Sequence, residues 1–169
     1  LDTEKVFPVV DINGSDSAMF DNTLEFLVMS GMELPRAVMM CIPEPWENNP
    51  SMSKKKKDFY AYNATVMEPW DGPASILFSD GELMGAVLDR NGLRPSRYYI
   101  TKDSYLILSS EVGSLEIPTE DIVVKDRLRP GKMLLVDTKK GVLINDEELK
   151  SYYAQKEPYG EWLDSHLTY

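Results

Sequence analysis

The hydrophobic pattern of this chain changes period at Trp70-Asp71-Gly72-Pro73, and that change limits the fold more than any other feature. Upstream, apolar residues recur at helical spacing. Ser15-Asp16-Ser17 is a cluster of helix-capping residues, followed by Phe20, Leu24, Leu27 and Val28 on one face and by Gly31 as a stop. Pro35 suits a first turn, and Val38, Met39 and Met40 continue a second short helix up to Pro43. Glu44–Met52, rich in Pro and Asn, reads as a loop. A third helix is predicted from about Ser53 to Met67, with Phe59, Tyr62 and Val66 on one face. Before them all, Val6–Val10 reads as a strand or an extended lead-in.

Downstream, the runs are short and rich in β-formers: Ala74–Phe78, Leu83–Leu88, Tyr98–Thr101, Tyr105–Ser109, Ile122–Val124, Met133–Val136 and Val142–Ile144. Asp80-Gly81 predicts a type I′ hairpin, in which both central residues take positive φ. Asp146–Gln155 reads as a final surface helix. Helices followed by a run of antiparallel strands indicate an α+β layer architecture, not alternating βαβ units.

At 169 residues and 43% hydrophobic content, the chain suits one domain with a sizeable core. A net charge of -10 argues against a nucleic-acid-binding surface, which needs clustered Lys and Arg. The one basic run, Lys54-Lys55-Lys56-Lys57, reads as the solvated first turn of a helix. No apolar stretch approaches the ~20 residues of a membrane span. With one cysteine and one histidine, neither an internal disulfide nor a Cys/His metal site is expected, and a cytoplasmic or other reducing compartment is the default.

Asp89 to Tyr98 is unusual for a turn between strands. It carries Asp89, Arg90, Arg94 and Arg97, while Gly92 and Pro95 restrict its backbone. Two readings stand: a loop that braces the sheet through ion pairs and backbone hydrogen bonds, or a loop that lines a pocket or its edge and contacts another segment.

Five segments carry a family resemblance: Ser15 to Ala18 with Phe20-Asp21-Asn22, Met39 to Trp46, Met67 to Ala74, Asp89 to Tyr98, and Leu128 to Met133. Together they resemble the glutaminase domain of the glutamate synthase large subunit, a class II glutamine amidotransferase. The resemblance implies an α+β chain forming part of a four-layer αββα N-terminal-nucleophile hydrolase fold, with two antiparallel sheets between helices. It further implies hydrolysis of L-glutamine to glutamate and ammonia, the ammonia serving reductive amination of 2-oxoglutarate. In such domains an N-terminal cysteine is the nucleophile, and donors aimed at the oxyanion stabilise the tetrahedral intermediate.

The chain starts at Leu1 and not at such a cysteine, so the expectation is a fragment without a catalytic residue, inactive by itself. By resemblance, Asp16, with Ser15 beside it, holds the α-ammonium of glutamine; the alternative is a helix N-terminal carboxylate favoured by the dipole. Cys41 lies in an apolar helical run and reads as a buried, inert thiol. His166 reads as a surface side chain, Glu68 and Asp71 as residues that end the third helix, and Trp46 and Trp70 as core anchors, with interdomain anchors as the alternative. The expected organisation is residues 1–157 as the C-terminal half of the domain and 158–169 as the start of a link. FMN and an iron–sulfur cluster are implied only for other domains of the parent. Implied partners are the rest of the domain, the synthase domains, and an electron-donor subunit or ferredoxin, with no nucleic acid and no membrane. The rival expectation is a non-catalytic module of the same fold that binds a partner or glutamine.

Overall fold

The computed structural model describes residues 3–111 and 113–167. Leu1 and the last two residues of the 158–169 stretch therefore lie outside the described residues. The chain runs through α1 (Thr3–Val6), α2 (Asp16–Met29), α3 (Leu34–Cys41) and α4 (Lys54–Val66). Strands β1 (Ser75–Ser79), β2 (Leu83–Leu88), β3 (Arg97–Thr101), β4 (Leu106–Ser109), β5 (Ile122–Arg127), β6 (Met133–Asp137) and β7 (Val142–Ile144) follow, then α5 (Asp146–Lys156) and α6 (Tyr159–His166). Val6–Val10 is neither of the forms expected: Val6 closes a helical turn and the residues after Pro8 bend.

Two antiparallel sheets form, one ordered β1-β2-β6-β7 and the other β4-β3-β5. Strand alternation gives the first sheet two different faces. Phe78, Val87, Met133 and Leu135 join the helical core of Leu24, Val38, Met39, Phe59 and Tyr159. Ala86, Leu88 and Leu134 point the other way, with Leu128, onto Tyr98, Leu106 and Leu108. The described residues thus form helices on a sheet on a second sheet. Each fully buried large side chain, such as Phe59 or Leu135, contributes about 1.5–3 kcal/mol relative to exposure. Phe78 lies over its cross-strand partner Gly85, where a Cβ would come within 2.2 Å of the ring.

Several local expectations are corrected. The β1–β2 hairpin forms, but only Gly81 has positive φ; Asp80 instead accepts the Glu82 and Leu83 amides through Oδ1 at 2.9 and 2.7 Å. Its side chain builds an Asx-type turn in place of type I′. Val66 is exposed, and α4 buries Phe59, Tyr60 and Asn63. α5 is no surface helix, because it buries Leu149, Lys150, Tyr153 and Ala154.

The basic run departs most from expectation. Ser53 caps α4 and Lys54 pairs with Asp58 at the surface, but Lys56 is buried. Its ammonium lies 3.4 Å from Glu44 and 2.9 Å from Glu147. Glu44 also accepts from the Tyr60 hydroxyl at 3.0 Å and faces the buried Lys150 at 3.6 Å. Lys150 pairs with Asp146 at 2.8 Å and donates to the Gly131 carbonyl. Asp146 accepts from the Met133 amide at 2.8 Å and pairs with Lys132 at 2.9 Å. Each buried charge has opposite charges or hydrogen bonds around it, which burial demands. The cluster ties the Glu44 loop, α4, α5 and the turn before β6 into one block.

Candidate functional site

The site is built outward from the start of α2. Ser15 has extended backbone (φ -70°, ψ 162°), and its hydroxyl accepts the Ala18 amide at 3.3 Å, so it acts as the N-cap. That cap sets the first turn, and the next two side chains diverge. Asp16 borders a cavity of about 400 Å³ with Met19, Phe20, Cys41, Glu68 and Asp71. Ser17 borders a second cavity of about 720 Å³ with Arg94 and Ser96. Trp70 lines both. The Trp70 amide donates to the Cys41 carbonyl at 2.8 Å, its indole N–H donates to the Gly72 carbonyl at 3.1 Å, and its ring meets Phe20 edge-on at 5.4 Å.

The larger cavity opens between the sheets, where edge strand β1 supplies Ser75, Ile76 and Leu77 and edge strand β4 supplies Leu108 and Ser109. Leu77 is 65% exposed there. Ser96 is buried, and its hydroxyl has no hydrogen-bond partner among the described residues.

The charged loop divides into two roles. Asp89 is buried and accepts the Ala74, Asn91 and Gly92 amides at 3.0, 2.9 and 3.1 Å, so it is the brace of the loop. Gly92 takes φ +59° and abuts Pro130, where a Cβ would come within 2.3 Å. Arg90 pairs with Asp71 at 3.1 Å on the surface. Arg94 is exposed and lines the larger cavity, whereas Arg97 is exposed at the start of β3 and lines neither cavity described here.

The description "Glutamine amidotransferases class-II" matches residues 1–162. The chain belongs to that family. It is 52% identical over 167 residues to the large chain of the NADPH glutamate synthase of Bacillus subtilis, covering 99% of this chain and 11% of that protein. It is 51% identical over 163 residues to the NADH glutamate synthase of Schizosaccharomyces pombe, covering 96% and 8%. To ferredoxin-dependent glutamate synthase 2 of a Synechocystis strain it is 46% identical over 162 residues, covering 95% and 10%. The chain thus spans only a small part of the relatives it matches. Its mixed architecture with antiparallel sheets agrees with the N-terminal-nucleophile hydrolase fold of class II amidotransferases.

What this amidotransferase chain can do chemically follows from its side chains. Cys41 is buried, and burial pushes its thiol up to about 12, so it stays protonated and unreactive at neutral pH. The smaller cavity is lined by Asp16, Glu68 and Asp71 among others, and Asp71 alone of these three has an ion-pair partner among the described residues. Such a wall favours a cationic group. His166 is exposed, with Nδ1 at 3.1 Å from the Trp162 carbonyl, remote in sequence from either cavity wall. Among the described residues, no group of three or more His, Cys, Asp or Glu is placed to hold a metal ion. Among the described residues, no helix is long and apolar enough to cross a membrane. Sequence reasoning missed Ser96 as a cavity residue, and Ser17 entered only as part of the Ser15-Asp16-Ser17 cluster. Nothing in a lone serine marks Ser96; only the burial of the loop reveals it, while the divergence of the α2 turn gives Ser17 a different cavity from Asp16.

Proposed function

We propose that this chain is the C-terminal half of the glutaminase domain of a glutamate synthase, with residues 1–157 in that half and 158–169 leading toward a following domain. α6 begins that lead while still docked, with Tyr159 buried against Phe59. In this reading L-glutamine is hydrolysed with water to glutamate and ammonia, and the ammonia aminates 2-oxoglutarate elsewhere in the parent. Asp16 binds the α-ammonium of glutamine, and Ser15 contributes by fixing the turn that aims it. The observation that carries the reading is that Asp16 lines a cavity whose wall also holds Glu68 and Asp71.

The cysteine nucleophile and the oxyanion donors come from the segment that completes the domain. The 169 residues by themselves do not turn over glutamine, because their one thiol is buried and protonated. FMN, an iron–sulfur cluster and the electron donor, whether a subunit or ferredoxin, belong to other parts of a cytoplasmic parent. Arg94 lines the larger cavity, where it meets the completing segment.

The test uses the parent enzyme. Asp16→Ala is expected to raise the KM for glutamine at least about tenfold, as loss of a charge-assisted hydrogen bond does. Turnover with free ammonia in place of glutamine stays as in wild type. An unchanged glutamine KM would defeat the substrate role of Asp16, and ammonia release by the isolated chain, abolished by Cys41→Ala, would defeat the assignment of the thiol. The rival, a module that binds without hydrolysis, predicts glutamine binding by the isolated chain that Asp16→Ala removes.

A further inference from the structure

Two Asn-Gly steps occur in the sequence, Asn13-Gly14 and Asn91-Gly92. Such a step can rearrange with no catalyst. The glycine amide loses its proton, its nitrogen bonds to the asparagine Cγ, the Cγ–NH2 bond breaks and ammonia leaves. Water then opens the cyclic imide to aspartate or to isoaspartate, whose main chain runs through the side-chain carbons. No electrons are exchanged. Glycine is the favourable neighbour because it has no Cβ to obstruct the approach.

Both asparagines are exposed and both glycines half-buried, so exposure does not separate the two steps. The partner of the glycine amide does. The Gly92 amide donates to the Asp89 carbonyl at 3.0 Å and to the Asp89 carboxylate at 3.1 Å. That carboxylate is buried, and a negative charge beside an amide opposes the anion that must form there. Gly92 is also wedged against Pro130 with φ +59°. The Gly14 amide donates instead to a neutral acceptor, the Asp11 carbonyl at 3.0 Å, while the Asp11 carboxylate is taken by the Asn13 amide at 2.9 Å. We propose that Asn13 is a site of spontaneous deamidation, and that the fold directs this chemistry to the turn before α2 while sparing Asn91.

That turn is tied to the helix. The Asp11 amide donates to Asn22 Oδ1 at 3.1 Å, and a Cβ on Gly14 would lie 3.3 Å from that of Ala18. Isoaspartate at position 13 lengthens the main chain by one methylene just before the Ser15 cap and Asp16. A new carboxylate alone is tolerated there, because a helix N-terminus favours negative charge. The added main-chain length is what shifts Asp16 and weakens the grip on glutamine. This consequence rests on the glutamine reading of Asp16; the modification itself does not.

The experiment ages the 169-residue chain in mildly alkaline buffer, folded and in urea, and maps its peptides by mass, with isoaspartate told from aspartate by electron-transfer fragmentation. In the folded chain the amide-to-acid mass gain is expected at least about tenfold faster at Asn13 than at Asn91, the factor that one unit of amide pKa makes. In urea the two rates converge. Asn13→Gln, which would have to close a larger ring, stops the gain at that position. No gain at Asn13 in the folded chain, or equal rates at the two steps there, would overturn the proposal. So would an excess at Asn13 that persists in urea, since the fold would then not be its cause. In the parent enzyme, once the isoaspartate form predominates, the KM for glutamine is expected to rise at least about threefold, with turnover on free ammonia unchanged and no rise in Asn13→Gln. An unchanged KM in the aged enzyme, alongside a raised one in Asp16→Ala, would overturn the link to the site. If Asp16→Ala also leaves KM unchanged, the glutamine reading fails and the deamidation stands.

Discussion

Asp89 and Ala74 are fastened in both directions: the Ala74 amide donates to Asp89 Oδ1 at 3.0 Å, and the Asp89 amide donates to the Ala74 carbonyl at 3.1 Å. The stretch that brings Trp70 and Pro73 to the larger cavity is thereby joined to the loop that brings Arg94 and Ser96. Two walls that are apart in sequence move as one. Asp89→Ala leaves the Ala74 and Asn91 amides without their acceptor in a buried place. We expect it to cost about 2–4 kcal/mol by urea unfolding. Asp89→Asn, which keeps an oxygen acceptor, is expected to cost less, and an equal loss in both variants would contradict this account.

Glu44 sits between two buried lysines and the Tyr60 hydroxyl. Glu44→Gln removes the negative charge but not the cations it faces. Breaking a buried ion pair from one side costs about 3–5 kcal/mol, and chemical denaturation is expected to show a loss of that order. A change below about 1 kcal/mol, the size of a surface pair, would mean that water reaches the cluster.

Asp146 sets the acid limit of the fold. Burial pushes its carboxyl up, but Lys150, the Met133 amide and Lys132 outweigh that and hold it below its ordinary value. A folded-state value below the unfolded one gives stability that is complete above pH ~4 and lost as pH falls through the lowered value. Urea midpoints measured from pH 7 down to about 2.5 should therefore drop more steeply for wild type than for Asp146→Asn. Asp80 and Asp137, held low chiefly by the Leu83 and Lys140 amides, and Glu147, held low chiefly by its hydrogen bond from Lys56, supply the acid dependence that remains in the variant. Parallel curves for the two proteins would remove Asp146 from the explanation.

Cys41 is expected to resist DTNB at pH 8 in the native chain and to react at once in urea, since its burial and raised pKa both suppress the thiolate. Cys41→Ala should cost about 1 kcal/mol through the small cavity it leaves. Rapid modification of the folded chain would show that the wall beside Asp16 opens.

The order of elements was legible because period and capping are local. Ser15 and Ser53 cap α2 and α4, each a capping residue placed just before a helical stretch. The burial of Cys41 followed from its apolar neighbours in the same way. Lys56 was misread because a run of four lysines carries no sign of which one faces inward. Its fate depends on Glu44 and on Glu147, 91 residues away. Val66 was placed on one face with Phe59 and Tyr62 by spacing alone, yet the chain turns away at Met67 and leaves it exposed. The hairpin at Asp80 formed with different backbone angles because the carboxylate could take over from the backbone. Bracing through backbone hydrogen bonds was one of two readings open for the charged loop, and the fold assigns it to Asp89 while leaving Arg94 to line the cavity.

A single indole ring stands as the party wall between two rooms. Whatever occupies one of them leans on Trp70, and Trp70 leans on the other. The chamber beside Asp16 and the chamber beside Arg94 therefore cannot be reshaped one at a time, and a substitution meant to enlarge either will be felt in both.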